Sequence, residues 1–280
     1  MSVLVLLAVI AAGVTVIALN RGHSSPPARP PGGLTGAAAT RGQAARWVAR
    51  QVSHAAIAAC DPAMCAALQA AGVPAADLDL LSTSAADPLG ADIVVATPAI
   101  RSQFGSRLAT VYAPAVLARF GTGMAQIDVR VVAAGGSAAY SAALGRDAAA
   151  RKGTAPQLLR NARLQLAAPA RAQLVAGHAD SRLMLLLAQL AATHSVRVLS
   201  FGDAGPGSDP SMPLRSAVLS GADPTGAMTQ SAYAAWLLGE LRGQRPPYAA
   251  QVSTARVQGQ PVVDLQFTAP SPLGLILSRG

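Results

Sequence analysis

The sequence predicts a membrane-anchored protein with two folded α/β units, and three observations support this fold class. Residues Val3–Leu19 form an uncharged apolar run. Short apolar strands alternate with helical segments over residues 43–134, which predicts a three-layer-like α/β unit with a mostly parallel sheet. A second series over residues 163–280 has the order β-α-β-β-α-β, which predicts an α+β unit of the ferredoxin-like sandwich type.

The apolar run Val3–Leu19 predicts a transmembrane anchor over residues 1–20. A membrane-spanning helix needs roughly 17–25 apolar residues, so the run meets the lower limit. Its apolar character continues around the whole helix, whereas a surface helix of a globular domain carries an apolar stripe on one side. Two alternatives stay open, namely a cleaved signal peptide and a helix buried in the folded part.

The charges around the anchor bear on its orientation. Arg21, Arg29 and Arg41 follow the apolar run, and the positive-inside rule alone would place the body of the protein in the cytoplasm. Long domains behind a single anchor, however, translocate largely regardless of charge. We therefore expect a single-pass protein of the cell membrane with an extracytoplasmic body. Residues 21–42, which include the Pro-rich stretch Ser24–Gly33, are predicted to form an extended linker.

The composition limits the classes of partner. The chain has a formal net charge of +9 that is spread along its length, which favours contact with an anionic surface such as lipid head groups or cell-wall polymers. It contains no run of Lys and Arg with interleaved aromatic residues. We therefore expect no nucleic-acid partner.

Local signals place the elements of the first unit. Asp61 is a favoured N-cap, Pro62 suits the first helical position, and Gly72 suits the end of the same helix. Gly121 to Gly123 marks a hairpin turn. The predicted helices are Gln43–Val52, Asp61–Ala71 and Thr97–Gln103, and the predicted strands are His54–Cys60, Leu78–Leu81, Asp92–Ala96, Val116–Phe120 and Gln126–Val132.

A helical connector over residues 135–162 leads into the second unit. It is predicted as two helices, Ser137–Arg151 and Thr154–Arg160. In the second unit, Asp180 caps the helix with the most regular stripe of Leu residues. The predicted helices there are Ser181–Thr193 and Thr229–Arg242, and the predicted strands are Arg163–Ala167, Val196–Phe201, Leu214–Leu219, Ala250–Val257 and Val262–Thr268.

Several short motifs follow one another along the first unit. They are Trp47-Val48, Ile57 to Asp61, Gly72-Val73-Pro74, Asp92 to Thr97, Phe120 to Gly123 and Ile127 to Arg130. The order of these motifs resembles that in the extracytoplasmic C-terminal domain of actinobacterial membrane glycosyltransferases of the GT-C type, and the chain as a whole resembles uncharacterised membrane-anchored actinobacterial proteins. The resemblance implies an extracytoplasmic α/β module, and it implies no catalytic residue, since catalysis in those enzymes belongs to a multi-span core.

The only two cysteines, Cys60 and Cys65, stand five positions apart. An even pair in an exported chain favours a disulfide, and a strand end followed by the first turn of a helix brings two α-carbons within bridging distance. Two buried free thiols, or a redox or metal site, remain as alternatives. A metal site would need further ligands, and His54 is the only candidate nearby.

The long loop Gly202–Pro213 contains the other speculative site, Asp203 and Asp209. Long loops at the ends of strands often carry function, although this one could equally be an ordinary wide turn. The sequence has no P-loop, no dinucleotide-binding glycine pattern, no G-x-S-x-G elbow and no zinc-type His spacing. We therefore assign no catalytic, cofactor-binding or metal-ligating residue and expect no cofactor.

These observations favour a non-catalytic binding or accessory module of the cell envelope. Its expected partner, besides the membrane, is another envelope protein or a cell-wall polymer. The alternative is an envelope enzyme that uses Asp203 or Asp209, or a degenerate accessory subunit, in glycan or lipid-linked sugar metabolism.

Overall fold

The computed structural model describes residues 34–202, 205–221 and 228–276, and its strands form two mixed five-stranded sheets. The predicted anchor Val3–Leu19 and the Pro-rich stretch Ser24–Gly33 lie outside the described residues. Within those residues, no helix is both long enough and apolar enough to cross a membrane.

The first sheet and its helices come from the amino-terminal part of the described chain. The elements are α1 (Leu34–Gln51), β1 (Ala58–Cys60), α2 (Pro62–Ala70), β2 (Leu78–Leu80), β3 (Ile93–Ala96), α3 (Pro98–Phe104), β4 (Ala115–Phe120) and β5 (Ile127–Val131), with a π-helical turn at Leu108–Tyr112. Helix α1 begins nine positions before the predicted start at Gln43, inside the predicted linker. The added residues are rich in Ala and lack Pro, so they favour a helix.

The first sheet has the strand order β2-β1-β3-β5-β4. Strand β1 pairs in parallel with β2 and β3, whereas β5 runs antiparallel to β3 and β4. The predicted hairpin of β4 and β5 is confirmed. Because this hairpin folds back beside β3, it adds two antiparallel pairings, and the prediction of a mostly parallel sheet is wrong.

Helices cover both faces of the first sheet. On one face, α1 and α2 bury Val48, Met64 and Leu68 against the strands. On the other face, α3 and the π-helical turn bury Ile100 and Tyr112. Helix α2 follows β1 and helix α3 follows β3. The helices that follow these two neighbouring parallel strands therefore lie on opposite faces of the sheet.

The connector is one helix, α4 (Ser137–Leu159), where the sequence predicts two. Pro156 lies inside the helix, and a proline there removes one backbone hydrogen bond. Ala155 and Leu158, on either side of Pro156, are buried in the core of the second unit. Tertiary packing therefore outweighs the local helix-breaking signal.

The second sheet and its helices follow α4. The elements are β6 (Leu164–Leu166), α5 (Ala168–Val175), α6 (Ser181–Thr193), β7 (Val196–Gly202), β8 (Ser216–Gly221), α7 (Gln230–Arg242), β9 (Gln251–Val257) and β10 (Gln260–Gln266). Helix α5 has no counterpart among the predicted elements. The predicted cap of α6 is confirmed, because the Asp180 carboxylate accepts a hydrogen bond from the Arg182 N–H at 2.8 Å.

The prediction of a ferredoxin-like sandwich is wrong. The strand order is β6-β7-β8-β10-β9, and β6 pairs directly in parallel with β7. A ferredoxin-like split β-α-β unit has another strand between the two that its helix connects. Both sheets of this protein instead end in the same β-α-β-β arrangement, since β5 lies between β3 and β4 as β10 lies between β8 and β9.

Backbone contacts join the units in two places. Residues 205–212 lie along the edge strand β4, where the Arg119 N–H donates to the Pro206 carbonyl oxygen at 2.6 Å. Directly after the end of α1, Val52 forms a parallel β-bridge with Ala269.

Buried Arg215 adds a contact between side chains of the two units. It donates a hydrogen bond to the Phe267 carbonyl oxygen at 2.8 Å, and its guanidinium lies 5.9 Å from the centre of the Trp47 ring in α1. Helix α1 is thereby packed against the second unit as well as the first.

Candidate functional site

The first sheet places a crevice at the carboxyl ends of β1 and β3. These strands are parallel neighbours, and the helices that follow them leave on opposite faces of the sheet. Such a switch point opens a gap between the two connections, and open α/β sheets bind their ligands there. We call this gap the switch-point crevice.

The switch-point crevice encloses about 750 Å³. One wall is the start of α2, the second is α3, and the third is the loop that leaves β2. Its surface combines hydroxyl, carboxylate and amide groups with small apolar side chains. The lining residues are Asp61, Pro62, Ala63, Leu81, Ser82, Thr83, Ala99, Ile100, Ser102 and Gln103.

Asp61 holds the two strand ends together. Its Oδ1 accepts a hydrogen bond from the Met64 N–H at 3.0 Å, which caps α2. Its Oδ2 accepts a hydrogen bond from the Thr97 hydroxyl, which follows β3. Asp61 and Thr97 are each followed by a proline at the start of a helix. The same local signal therefore positions both members of this pair.

Gln103 fixes the third wall of the crevice. Its side-chain amide donates hydrogen bonds to the carbonyl oxygens of Ser82 at 3.0 Å and Ala85 at 3.2 Å. The loop after β2 is thereby tied to α3. The loop has no helix or strand of its own, so these bonds set the distance between the two walls.

The predicted disulfide between Cys60 and Cys65 is confirmed. It joins the end of β1 to the first turn of α2, on either side of Asp61 in the chain, and its cysteines are 0% and 7% exposed. Closing so short a loop stabilises a fold by about 2 kcal/mol in the chain-entropy estimate. The bridge therefore fixes the position of the α2 start, which forms one wall of the crevice.

Asp209, one of the two residues of the other speculative site, does not line the crevice. Asp203 lies outside the described residues. The Asp209 Oδ2 accepts a hydrogen bond from the Val116 N–H at 2.7 Å, and its own N–H donates to the Val116 carbonyl oxygen at 2.9 Å. Asp209 therefore ties the loop to β4, at the edge of the sheet.

Tyr140 of α4 lies near this aspartate. Burial, together with the charges of Asp147 and Asp209, raises the pKa of the Tyr140 hydroxyl to about 12.

Sequence reasoning identified Asp61 as a helix cap but missed its contact with Thr97. The available signal was the repeated pattern of a buried strand followed by a capping residue and a proline, at Asp61-Pro62 and at Thr97-Pro98. That pattern occurs twice, and it marks the ends of the two strands that turn out to be neighbours.

The polar side chains that line the crevice act as hydrogen-bond donors and acceptors. Asp61 is the one ionisable side chain among the described residues that line it. The described parts of the chain contain no group of three or more His, Cys, Asp or Glu side chains placed to hold a metal ion. The arrangement can accept and donate hydrogen bonds to a neutral polar ligand and can contact that ligand's apolar parts through Leu81 and Ile100.

Comparison with known proteins adds no assignment, since no family model, no curated protein and no solved structure matches the chain.

Proposed function

We propose that the protein is a non-catalytic binding module of the cell envelope, and that the switch-point crevice binds a hydroxyl-rich polymer of the cell wall. One observation carries the proposal. A crevice of about 750 Å³ with carboxylate, hydroxyl and amide groups lies at the place in the fold where α/β sheets take up ligands. Its volume is in the range of small-molecule sites, about 300–1,000 Å³.

The lining groups suit a polymer of sugar units. A carboxylate such as Asp61 accepts hydrogen bonds from hydroxyl groups, and the side chains of Ser82, Thr83 and Ser102 both donate and accept. Hydrolysis of a glycosidic bond ordinarily uses a pair of carboxylates. The described lining offers one, which favours binding over cleavage.

The envelope location rests on three supports. They are the predicted anchor Val3–Leu19, the disulfide, which persists in oxidising compartments, and the resemblance to extracytoplasmic domains of membrane glycosyltransferases. That resemblance also supports the second candidate function, an accessory subunit of such an enzyme. In the described structure, the Asp209 carboxylate accepts a hydrogen bond from the Val116 N–H and so ties the long loop to β4.

Blocking the crevice tests the binding function. Ala63 is exposed at the start of α2 and lines the crevice, so an Ala63→Trp side chain would occupy the space of a ligand. We expect the full-length protein to bind immobilised arabinogalactan or dextran, and the Ala63→Trp variant to bind about tenfold more weakly, a loss of about 1.4 kcal/mol. Biolayer interferometry on detergent-solubilised protein measures both affinities.

Ala66 provides the matched control. It is an exposed alanine of the same helix that does not line the crevice, so Ala66→Trp should bind like the wild type. Equal binding by both Trp variants would place the polymer elsewhere on the protein. No binding of any polysaccharide by the wild type would reject the proposed ligand class.

The state of the two cysteines in living cells tests the location. Acid quenching traps thiols, and a maleimide polymer then adds mass to each free thiol. If the body is extracytoplasmic, Cys60 and Cys65 should gain mass only after reduction, because the cytoplasm keeps thiols reduced. Full modification without reduction would place the body in the cytoplasm.

A further inference from the structure

The two five-stranded sheets have four edge strands, and three of these edges are short or covered. Strands β2 and β6 have three residues each. Strand β4 is longer, but residues 205–212 lie along it, and its register with β5 shifts between Val116 and Ala118. An open edge strand can pair with another chain, and short strands, bulges and covering loops commonly prevent this. In the described structure, the fourth edge strand, β9, has none of these features.

Strand β9 is a long and exposed edge. Its seven residues pair with β10 over their whole length without a break in register, and β9 has no second neighbouring strand in the described structure. Six of these residues are exposed, and Val252 is half-buried. The strand contains neither Pro nor Lys, two residues that often protect an edge. The outer edge of β9 is therefore accessible to a further strand.

The turn between β9 and β10 shows which backbone groups of β9 point away from β10. Gln258 and Gly259 form a two-residue turn with positive φ at both positions, so the two residues that flank the turn exchange backbone hydrogen bonds. The next pair, Arg256 and Pro261, is then a non-hydrogen-bonded pair, which agrees with the missing N–H of proline. Hydrogen-bonded and non-hydrogen-bonded pairs alternate along the two strands. The residues whose N–H and C=O groups point to the open edge are therefore Val252, Thr254 and Arg256.

We propose that β9 pairs with β9 of a second copy of this chain, antiparallel and with the two Thr254 residues directly opposite each other. Thr254 is the middle residue of the strand, so this register overlaps the two strands over their full length. Each outward N–H then meets an outward carbonyl oxygen of the other copy, because Thr254 lies opposite Thr254 and Val252 lies opposite Arg256. The second sheets of the two copies become one continuous sheet across a two-fold axis.

The side chains of β9 favour this self-pairing. Two opposite Thr residues form a favourable cross-strand pair. Arg256 carries the one charge of the strand, and its guanidinium donates to the Gly259 carbonyl oxygen of its own hairpin at 3.0 Å. In the proposed register, the two Arg256 residues are separated by four positions, about 14 Å along the sheet. This separation exceeds the Debye length of about 8 Å at physiological salt, so their repulsion is largely screened.

Cysteine cross-linking of the full-length protein tests the register. The α-carbons of a hydrogen-bonded antiparallel pair are about 5.5 Å apart, within the bridging range of about 4.4–6.8 Å. Thr254→Cys should therefore form a disulfide between two copies on mild oxidation, as non-reducing electrophoresis measures. Arg256→Cys is the matched control, since it places a cysteine on the same strand but about 14 Å from its counterpart, and it should stay monomeric. Cys60 and Cys65 are already bridged and do not compete.

Thr254→Pro tests the pairing itself. The proline removes an N–H that points away from β10, and edge strands tolerate proline at such positions, so the hairpin should keep its fold. Analytical ultracentrifugation of the full-length protein in detergent should show a monomer–dimer equilibrium for the wild type. The dimer dissociation constant should rise at least about tenfold in Thr254→Pro. Thr254→Val keeps the backbone N–H and should dimerise like the wild type.

Three results would overturn the proposal. They are a wild type that stays monomeric at every concentration, dimerisation of equal strength in the wild type and Thr254→Pro, and equal cross-linking of the two cysteine variants. The first is expected if β9 pairs instead with an extended peptide of another protein, and the second if the copies associate through another segment. If Thr254→Pro does not fold, as far-ultraviolet circular dichroism reports, the two cysteine variants decide alone.

Discussion

Replacing Asp180 with alanine is expected to lower the free energy of unfolding by about 3–5 kcal/mol. Asp180 is completely buried. Its carboxylate caps α6 and accepts two hydrogen bonds from the Arg182 side chain and one, at 2.6 Å, from the Ser271 hydroxyl. Removing it leaves the Arg182 guanidinium, 5% exposed, without its counter-ion, and an unpaired buried charge is far more costly than an absent pair.

Chemical denaturation of the wild type and of the Asp180→Ala variant measures this loss. Glu240→Ala serves as the control, since Glu240 is exposed in α7 and its removal should change stability by less than about 0.5 kcal/mol. The double variant Asp180→Ala, Arg182→Met removes both charges and should recover part of the loss. A double variant less stable than Asp180→Ala would show that the unpaired charge is not the cause.

Replacing Gly205 with alanine is the second large effect we expect, a loss of about 2–4 kcal/mol. Gly205 is buried at the start of the loop on β4 and has φ +149°. Residues other than glycine rarely adopt this backbone conformation. An added Cβ would overlap the Leu117 carbonyl oxygen and lie 3.1 Å from Cζ2 of Trp47. The loop must move away from the strand to make room.

Two backbone amides report this movement directly. The Val116 N–H donates to Asp209, and the Arg119 N–H donates to the Pro206 carbonyl oxygen. Both amides should exchange with deuterium faster in Gly205→Ala, because the loop that protects them is displaced. Gly153→Ala, on an open helix surface, should instead be neutral or stabilise by up to about 1 kcal/mol. Unchanged exchange at both amides would contradict the argument.

The sequence allowed prediction of those elements whose signals are local. Asp61 and Pro62 start α2 as predicted, and its cap is present. The hairpin of β9 and β10 turns at Gln258 and Gly259, which both have positive φ. A cap or a tight turn depends on a few consecutive residues, so such residues can be recognised without knowledge of the rest of the fold.

The strand orders could not be predicted because they depend on distant parts of the chain. Whether β6 lies beside β7 or two strands away is decided by how α5 and α6 pack, and α5 was missed. The hairpin of β4 and β5 could have paired on either side of the sheet, and no local signal in these strands marks its place beside β3. Pro156 in α4 shows the same effect on a helix boundary.

The candidate site could be predicted only in part from the sequence, for the same reason. Asp61 and Thr97 are 36 positions apart, and their contact exists because β1 and β3 are neighbours. Asp209 stood out in the sequence as an acidic residue of a long loop, yet its carboxylate has a structural partner in Val116.

Hydrogen exchange of the full-length protein, with and without saturating polysaccharide, tests the central claim most directly. If the switch-point crevice binds the polymer, protection should rise in three segments of its walls, namely residues 61–65, 81–85 and 98–104, and should not change around Gly145 in α4. Protection confined to other segments, or no change under conditions in which the polymer is bound, would show that the crevice is not the binding site.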